Sequence, residues 1–171
     1  MSNSVVIIPT YNEIENIENI IRAVFSLNKP FHILIVDDNS PDKTAGKVVE
    51  LQSEFKDQLF LENREKKAGL GTAYVFGFKW ALDNKYDYIF EMDADFSHNP
   101  TDLEKLYLAC ENGADVAIGS RYITGVNVVN WPLSRVLLSF FASFYVKKIT
   151  GMKIHDATAG FMCYRRNVLE T

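Results

Sequence analysis

The chain has 171 residues, enough for one domain with a substantial core, and 47% of them are hydrophobic while 23% are charged. Its net charge is −4, so it lacks the basic field typical of nucleic-acid-binding proteins. Cys110 and Cys163 have no C-x-x-C spacing, which favours two reduced, partly buried thiols in a cytosolic protein. The first residues show no signal-peptide pattern, and no apolar run reaches the ~18 residues of a membrane span.

Predicted strands and helices alternate along the chain. Helical spacing begins after Pro9, which we expect to end the first strand, with Ile14, Ile17, Ile20, Ile21 and Val24 three or four residues apart. The remaining predicted helices cover residues 45–55 (with Thr44 as a candidate cap), the glycine segment to about 82, and 100–112. Short apolar runs predict strands at 5–8, 31–36, 59–61, 88–92 and 116–118. This order predicts a single α/β domain over residues 1–171 with a mostly parallel central sheet.

Three polar clusters follow predicted strands, at residues 9–13, 37–40 and 93–98. In open α/β sheets, ligands bind outside the carboxyl ends of the strands. We therefore expect the three clusters to meet at one site.

Asp93-Ala94-Asp95 follows the predicted fourth strand directly. Two carboxylates separated by one small residue can present oxygens to a hard cation such as Mg²⁺ or Mn²⁺, which shares its ligands with substrate phosphates. A metal on a diphosphate stabilises the charge of a departing nucleoside diphosphate. The alternative is a pair of acidic turn residues, because Asp-x-Asp is common in loops.

Asp37 and Asp38 end the second strand, where an acidic side chain bonds a ribose hydroxyl or caps the next helix. Gly69-Leu70-Gly71 matches neither a Walker nor a dinucleotide pattern, so we interpret these glycines as permitting close backbone approach at a helix start. Lys66 and Lys67, just before it, suit a phosphate contact or, more simply, a solvated basic loop.

Three further polar residues keep two interpretations each. His98 suits a metal ligand or acid-base group, or a hydrogen bond to backbone in its turn. Arg121 and Arg135 carry guanidinium forks that match phosphate oxygens, and the alternative for each is a surface salt bridge. The nearly continuous apolar segment 136–146, followed by two lysines, predicts either an amphipathic helix at a membrane surface or a core helix.

Taken together, these motifs resemble the inverting glycosyltransferases of family 2, which have the GT-A fold. The similarity is greatest to the dolichyl-phosphate mannose synthases and other polyprenyl-phosphate hexosyltransferases. The similarity extends over nearly the whole chain. The motifs that carry it are specific when taken together, whereas no single motif is. The motifs are PTYNE at 9–13, VDDNSPDKT at 36–44, GLGTAY at 69–74, MDADFSHNP at 92–100, GSRY at 119–122 and WPLSR at 131–135.

The resemblance implies a role for each matching residue. The implied metal ligands are Asp95 and Ser97, with Asp93 as a further ligand. The implied binding site for the acceptor phosphate comprises Arg121, Ser134 and Arg135. Asp93, Asp95, Arg121 and Arg135 are the implied catalytic residues. The implied nucleotide-sugar site comprises Pro9, Tyr11, Glu13, Ile35, Asp37, Asp93, Ala94, Asp95 and Arg121.

The implied reaction moves a hexose onto a dolichyl or polyprenyl phosphate with inversion at the anomeric carbon. The favoured donor is GDP-mannose, which supplies mannose. The acceptor phosphate is already anionic at neutral pH, so it needs little or no general base. The resemblance also implies a cytoplasmic enzyme at the periphery of the membrane's cytoplasmic face. A family 2 enzyme that uses a UDP-sugar for surface polysaccharide or lipid glycosylation, a binding module without turnover, and a nucleotidyltransferase are the alternatives.

The sequence departs from the family pattern in two places. Met162 follows the late block DATAGF, residues 156–161, where many relatives carry arginine, which puts one phosphate contact in doubt. The sequence ends at Thr171, where relatives continue with more basic residues. We therefore expect a catalytic domain that is truncated at its C-terminus and do not assume that it is active alone.

Overall fold

The computed structural model describes residues 2–121, 133–151, 156 and 158–170, without the side chains of residues 133–137 and 140. These residues form strands β1 Ser4–Thr10, β2 His32–Asp37, β3 Leu59–Asn63, β4 Tyr88–Glu91, β5 Val116–Ile118 and β6 Met162–Arg165. The helices are α1 Ile17–Phe25, α2 Thr44–Gln52, α3 Leu70–Asp83, α4 Asp102–Glu111, α5 Leu133–Thr150 and α6 Arg166–Leu169.

The strands form one sheet in the order β3-β2-β1-β4-β6-β5. β1 pairs in parallel with β2 and β4, and β2 with β3, whereas β6 is antiparallel to both β4 and β5. The predicted α/β architecture with a mostly parallel sheet is confirmed. Sequence analysis missed β6 because Met162–Arg165 is short and contains no β-branched residue.

Each central strand is buried on both faces, as its continuous apolar sequence predicts. Alternate residues of β1 belong to different cores: Val6 and Ile8 pack with α1, α2 and α4, while Val5 and Ile7 pack with α3. The side-chain period of two in a strand produces this division. The sheet therefore lies between two helical layers and holds the strand ends in fixed positions.

Pro9 does not end β1, which continues to Thr10. Within β1, Thr10 bonds toward β2, since its carbonyl accepts from the Asp38 amide, and Ile7 bonds toward β4. Pro9 therefore faces β4, whose pairing with β1 ends at Ile7. Among the residues that the structure describes, no strand pairs with β1 beside Pro9 on that side, so its missing N–H costs no ladder hydrogen bond there.

The start of α1 and the cap of α2 also differ from prediction. Ile14 precedes α1, in a turn whose Glu13 carbonyl accepts from the Ile17 amide, and is exposed. Thr44 is the first helical residue of α2 and not its cap. The Asp42 carboxylate instead accepts from the Thr44 amide at 2.9 Å, so a residue two positions earlier satisfies that donor.

α5 carries large apolar side chains in solvent. The exposed fractions are 73% for Leu138, 61% for Phe141, 58% for Phe144, 66% for Tyr145 and 64% for Ile149. The core-helix interpretation is therefore wrong. Within the described ranges, no helix combines the length and apolarity needed to cross a bilayer.

Candidate active site

An open cavity of about 280 Å³ lies at the carboxyl edge of the sheet, where β1, β2 and β4 end. All three predicted polar clusters contribute to it, so their predicted convergence is confirmed. The start of α3 forms a further wall. The lining residues are Pro9, Thr10, Tyr11, Glu13, Asp38, Lys67, Leu70, Ala73, Asp93, Ala94 and Asp95.

The loop after β1 is fixed by side chains of the loop after β2. The Asn12 amide donates to the Ser40 hydroxyl and the Glu13 amide to the Thr44 hydroxyl, both at 3.0 Å. The Ile14 amide donates to Asp42, also at 3.0 Å. The motif at residues 40–44 therefore positions the backbone that carries Glu13.

One non-glycine residue in each polar cluster has a left-handed backbone. The φ angles are 62° for Asn12, 57° for Asn39 and 57° for Phe96. Such conformations cost energy for residues with a Cβ, most of all for a bulky one, and are concentrated at functional sites. Lys43, Asp57 and Lys85, outside these clusters, share this conformation, so it accompanies the site and does not by itself mark it.

Asp37 and Asp38 have different surroundings. Asp37 is fully buried and accepts hydrogen bonds from the hydroxyls of Thr10 (2.8 Å) and Ser40 (2.6 Å) and from the Ser40 amide (2.8 Å). Asp38 lines the cavity. Of the two aspartates, the structure brings Asp38 and not Asp37 to the cavity, and Ile35, implied with Asp37, is buried in the core.

Asp93 is half-buried beside the cavity, and Asp95 is exposed. The Tyr74 hydroxyl, from α3, donates to Asp93 at 3.0 Å, and the Ser97 amide donates to Asp95 at 2.9 Å. Burial raises the pKa of Asp93, the charge of Asp95 adds to this, and the Tyr74 hydrogen bond opposes it. The two carboxylates therefore repel each other at one strand end.

Glu91 lies two residues before Asp93, buried in β4. Burial raises its pKa to about 7, and the nearby Asp93 charge acts in the same direction. Its partner is the Tyr164 hydroxyl, 3.4 Å away. The acidic character of the site thus extends from the cavity into the sheet.

The oxygen donors of the cavity fit a hard divalent cation whose remaining ligands come from a bound substrate. Glu13, Asp38, Asp93 and Asp95 all line it and offer carboxylate oxygens. Among the described residues, no group of three or more His, Cys, Asp or Glu side chains is arranged to hold a metal. Mg²⁺ commonly binds through one or two carboxylates together with substrate phosphates, which matches Asp93 and Asp95.

Arg121 lies in a buried ion pair, and its implied roles toward the nucleotide-sugar and the acceptor phosphate stay predictions. Its Nε and Nη2 donate to the two oxygens of Asp156, each at 2.7 Å, and Nη2 also donates to the Thr158 hydroxyl at 2.7 Å. Its side chain is 6% exposed and that of Asp156 is 0% exposed. Burial alone would raise the pKa of Asp156, but hydrogen bonds from Arg121 hold it below its usual value. The surface salt bridge considered for Arg121 is in fact a buried one.

The late block of the sequence nevertheless reaches the site. Gly160 approaches Asp93 closely, because a Cβ on Gly160 would lie 3.4 Å from Asp93 Oδ2. Met162, in place of the expected arginine, pairs with Glu91 across the sheet. The side chains of Ser134 and Arg135 lie outside the described residues, so their implied acceptor role stays a prediction.

The structure shows the surroundings of His98 and Lys67, for which the sequence left two interpretations each. The His98 ring stacks on Phe161 with centroids 4.8 Å apart, and burial lowers its pKa. Lys67 lines the cavity, with its ammonium 3.9 Å from the centroid of the Tyr11 ring. The solvated-loop interpretation of Lys67 is therefore incomplete, since one face of the residue belongs to the site.

Sequence reasoning missed Tyr74 and Arg64 as contributors to the site. Tyr74 lies four residues after Leu70 in α3, on the face that packs against the sheet, where its hydroxyl needs a partner. That helical spacing could have identified it. Arg64 follows β3, and nothing in its local sequence indicates that its partner is Asp38, 26 positions away.

The family model for glycosyl transferase family 2 matches residues 5–171. The chain belongs to this family. The expected GT-A fold is confirmed, and this family 2 chain places its acidic strand ends around one cavity.

Two curated relatives are similar over nearly the whole chain. The polyprenol monophosphomannose synthase of Mycolicibacterium smegmatis is 48% identical over 167 residues, which cover 98% of this chain and 63% of that protein. The undecaprenyl-phosphate mannosyltransferase of Micrococcus luteus is 40% identical over 163 residues, which cover 95% of this chain and 66% of that protein. This family 2 chain thus spans slightly less than two thirds of these relatives.

A solved structure supports the same fold. Glucosyl-3-phosphoglycerate synthase from Mycobacterium tuberculosis, in complex with Mn²⁺, UDP-glucose and glycerol 3-phosphate, superposes with a TM-score of 0.67. The match covers 96% of this chain and 57% of that chain at 15% sequence identity. At this identity the likeness concerns the fold of the family 2 chain and not its substrates.

Proposed function

We propose that this chain is the donor-binding part of an inverting, metal-dependent transferase that moves mannose from GDP-mannose onto a polyprenyl phosphate. The observation that carries the proposal is the cavity in which Asp93 and Asp95 lie together with Glu13 and Asp38 at the carboxyl ends of β1, β2 and β4. The curated relatives that act on polyprenyl phosphates with mannose support this choice of substrates.

The nucleoside would lie on the side of the cavity formed by Pro9, Tyr11 and Asp38. Asp38 accepts hydrogen bonds there, and the Tyr11 ring offers a stacking face for a base. Lys67, a cation on the same wall, suits contact with the diphosphate.

Asp95 and Asp93, with Ser97 adjacent, would hold Mg²⁺ or Mn²⁺, which stabilises negative charge on the diphosphate leaving group when bound. Tyr74 fixes the orientation of Asp93 through its hydroxyl. Because an acceptor phosphate oxygen is already anionic, the residues of the site have to align it and need not remove a proton.

The acceptor would approach along α5, which begins at Leu133 and so contains the predicted phosphate-binding residues Ser134 and Arg135. Exposed apolar side chains on α5 suit lipid tails, and exposed Lys147 and Lys148 in its last turn suit anionic headgroups. We accordingly propose that the enzyme works at the periphery of a membrane's cytoplasmic face, where α5 lies in the interface.

Calorimetric titration with GDP and with UDP, each with and without Mn²⁺, tests the proposal. We expect Mn²⁺-dependent binding of GDP, and Asp95→Asn should weaken it by about 10²-fold because a ligand charge is lost. Asp115→Asn, an exposed carboxylate on the way into β5, should bind as the unchanged chain does.

The other outcomes of this titration are equally informative. Mn²⁺-dependent binding of UDP alone would transfer the function to a UDP-sugar enzyme. Binding of neither nucleotide by this chain would contradict its assignment as the donor-binding part.

A further inference from the structure

Arg64 follows the end of β3 and joins three parts of the cavity wall. Its Nε and Nη2 donate to Asp38 Oδ1 and Oδ2 at 2.5 and 2.7 Å. Its Nη1 donates to the Thr72 hydroxyl at 2.8 Å, and that hydroxyl donates to the Gly69 carbonyl at 2.7 Å. One guanidinium thus connects the end of β2 to the start of α3.

This connection is largely shielded from solvent. The side chain of Arg64 is 12% exposed and that of Asp38 is 8% exposed. The Arg64 amide also donates to the Asp37 carbonyl at 2.8 Å, so backbone and side chain hold the same strand end. A two-point contact between a guanidinium and a carboxylate fixes the angle of the carboxylate as well as its distance.

The segment that Arg64 holds has few other anchors. Residues 65–72 are all exposed, and this stretch contains Lys67 and Leu70, which line the cavity. Gly69 precedes α3 with a φ of 98° and provides no side-chain cap. The other hydrogen bonds to the segment are long: the Asn39 amide group donates to the Glu65 carbonyl at 3.3 Å, the Ala73 amide to the Gly69 carbonyl at 3.3 Å, and Arg64 Nη2 to the Gly69 carbonyl at 3.5 Å. The polar contacts of Arg64 are therefore a principal constraint on this wall.

We propose that Arg64 is a positioning residue for donor binding, which aims Asp38 at the nucleoside and holds residues 65–72 in the geometry that closes the cavity. The inference rests on the proposed function, because it assumes that the cavity binds a nucleotide. Arg64 itself does not line the cavity, so it acts through Asp38 and Thr72.

The test compares Arg64→Lys with Arg22→Lys. Arg22 forms a similar two-point pair, with Glu54 at 2.8 and 2.9 Å, but it lies on α1 away from the cavity. Lysine keeps the charge and loses the planar fork. We expect Arg64→Lys to weaken Mn²⁺-dependent GDP binding about tenfold, and Arg22→Lys to leave it unchanged.

A second variant separates the two connections. Thr72→Val removes the hydroxyl that bridges Arg64 and Gly69 but keeps the pair with Asp38. Because Arg64 keeps both bonds to Asp38 and a long 3.5 Å contact with the Gly69 carbonyl, we expect GDP binding to weaken only about threefold. Both variants should retain the dependence on Mn²⁺, since Asp93 and Asp95 are not altered.

The readouts distinguish positioning from a purely structural contribution. If Arg64→Lys lowers the midpoint of thermal unfolding but binds GDP with unchanged affinity well below that midpoint, the inference is overturned. If that variant binds normally while Asp95→Asn does not, the proposed function stands and only the positioning role fails. If the unchanged chain binds neither GDP nor UDP, the proposed function fails and the inference with it.

Discussion

The carboxyl edge of the sheet and helix α5 use their side chains in opposite ways. At the sheet edge, polar side chains are held in fixed directions by named partners, such as Asp37 by Thr10 and Ser40. On α5, large apolar groups such as Leu138 and Phe141 remain in solvent. The difference separates two requirements, because a donor site needs fixed geometry whereas a lipid-facing helix needs apolar surface.

The largest effect should come from the buried ion pair between Arg121 and Asp156, which lies on the polar side of this comparison. Asp156→Ala removes both carboxylate contacts of a buried guanidinium, which also donates to the Thr158 hydroxyl. Removing one member of a buried pair costs about 3–5 kcal/mol of unfolding free energy. Urea unfolding followed by circular dichroism measures the loss.

Asp115→Ala is the matched control for this pair. Asp115 faces Arg165 at 3.8 Å, with 66% of its side chain exposed. Exposed pairs contribute about 0–1 kcal/mol, so this variant should unfold almost as the unchanged chain does. Equal losses in the two variants would show that burial does not set the value of the Arg121 pair.

The next effect concerns the packing that holds the sheet edge in place. A Cβ on Gly77 would lie 2.6 Å from Ile7 Cγ2, whereas a Cβ on Gly71 would meet nothing within 4 Å. Ile7 is β-branched and fully buried, so it cannot rotate away. Gly77→Ala should therefore cost about 1–3 kcal/mol of unfolding free energy through overpacking.

Gly71→Ala should shift stability in the opposite direction. It lies in the same helix with open space around it, so alanine should stabilise the chain by about 0.4–1 kcal/mol through the entropy of the unfolded state. Thermal unfolding of both variants checks the pair of signs. Destabilisation by both would mean that helix propensity and local space do not control α3.

The fold was more predictable than the site. Continuous apolar runs predicted β1, β2 and β4 because burial on both faces leaves a strong local signal, and shorter runs predicted the less buried β3 and β5, whereas β6 has no such run. The location of the site followed from polar residues after strands. The sequence did not show which aspartate lines the cavity or which residues pair with Arg64 and Arg121. The two ion pairs join residues 26 and 35 positions apart, and no local pattern encodes such contacts.

The apolar side of the comparison predicts a change in binding without a change in stability. Leu138→Ser on α5 removes a side chain that is 73% exposed, so unfolding free energy should move by no more than about 0.5 kcal/mol. Affinity for vesicles that contain an anionic lipid should fall about fivefold, since apolar contact with the acyl boundary is lost. Vesicle cosedimentation measures this.

Val49→Ser provides the control on another helix. Val49 is 56% exposed and lies on α2, far from α5 in the sequence. Its substitution should leave vesicle affinity unchanged. A similar loss in both variants would indicate non-specific adsorption, and no loss in Leu138→Ser would show that α5 does not lie in the membrane interface.

The smallest effect lies at the amino end of the strands, far from both regions, and tests whether burial alone can couple stability to pH. His32 Nδ1 lies 2.6 Å from the Tyr86 hydroxyl, and burial lowers the pKa of His32 from 6.5. The folded chain thus favours neutral His32, so its contribution to the unfolding free energy is complete above pH 6.5 and is lost as pH falls toward the folded pKa.

His32→Gln should lessen the loss of unfolding free energy between pH 7.5 and 5.5. Tyr86→Phe should retain that loss, because burial is the main cause of the shift. An unchanged pH dependence in His32→Gln would show that other groups control acid sensitivity.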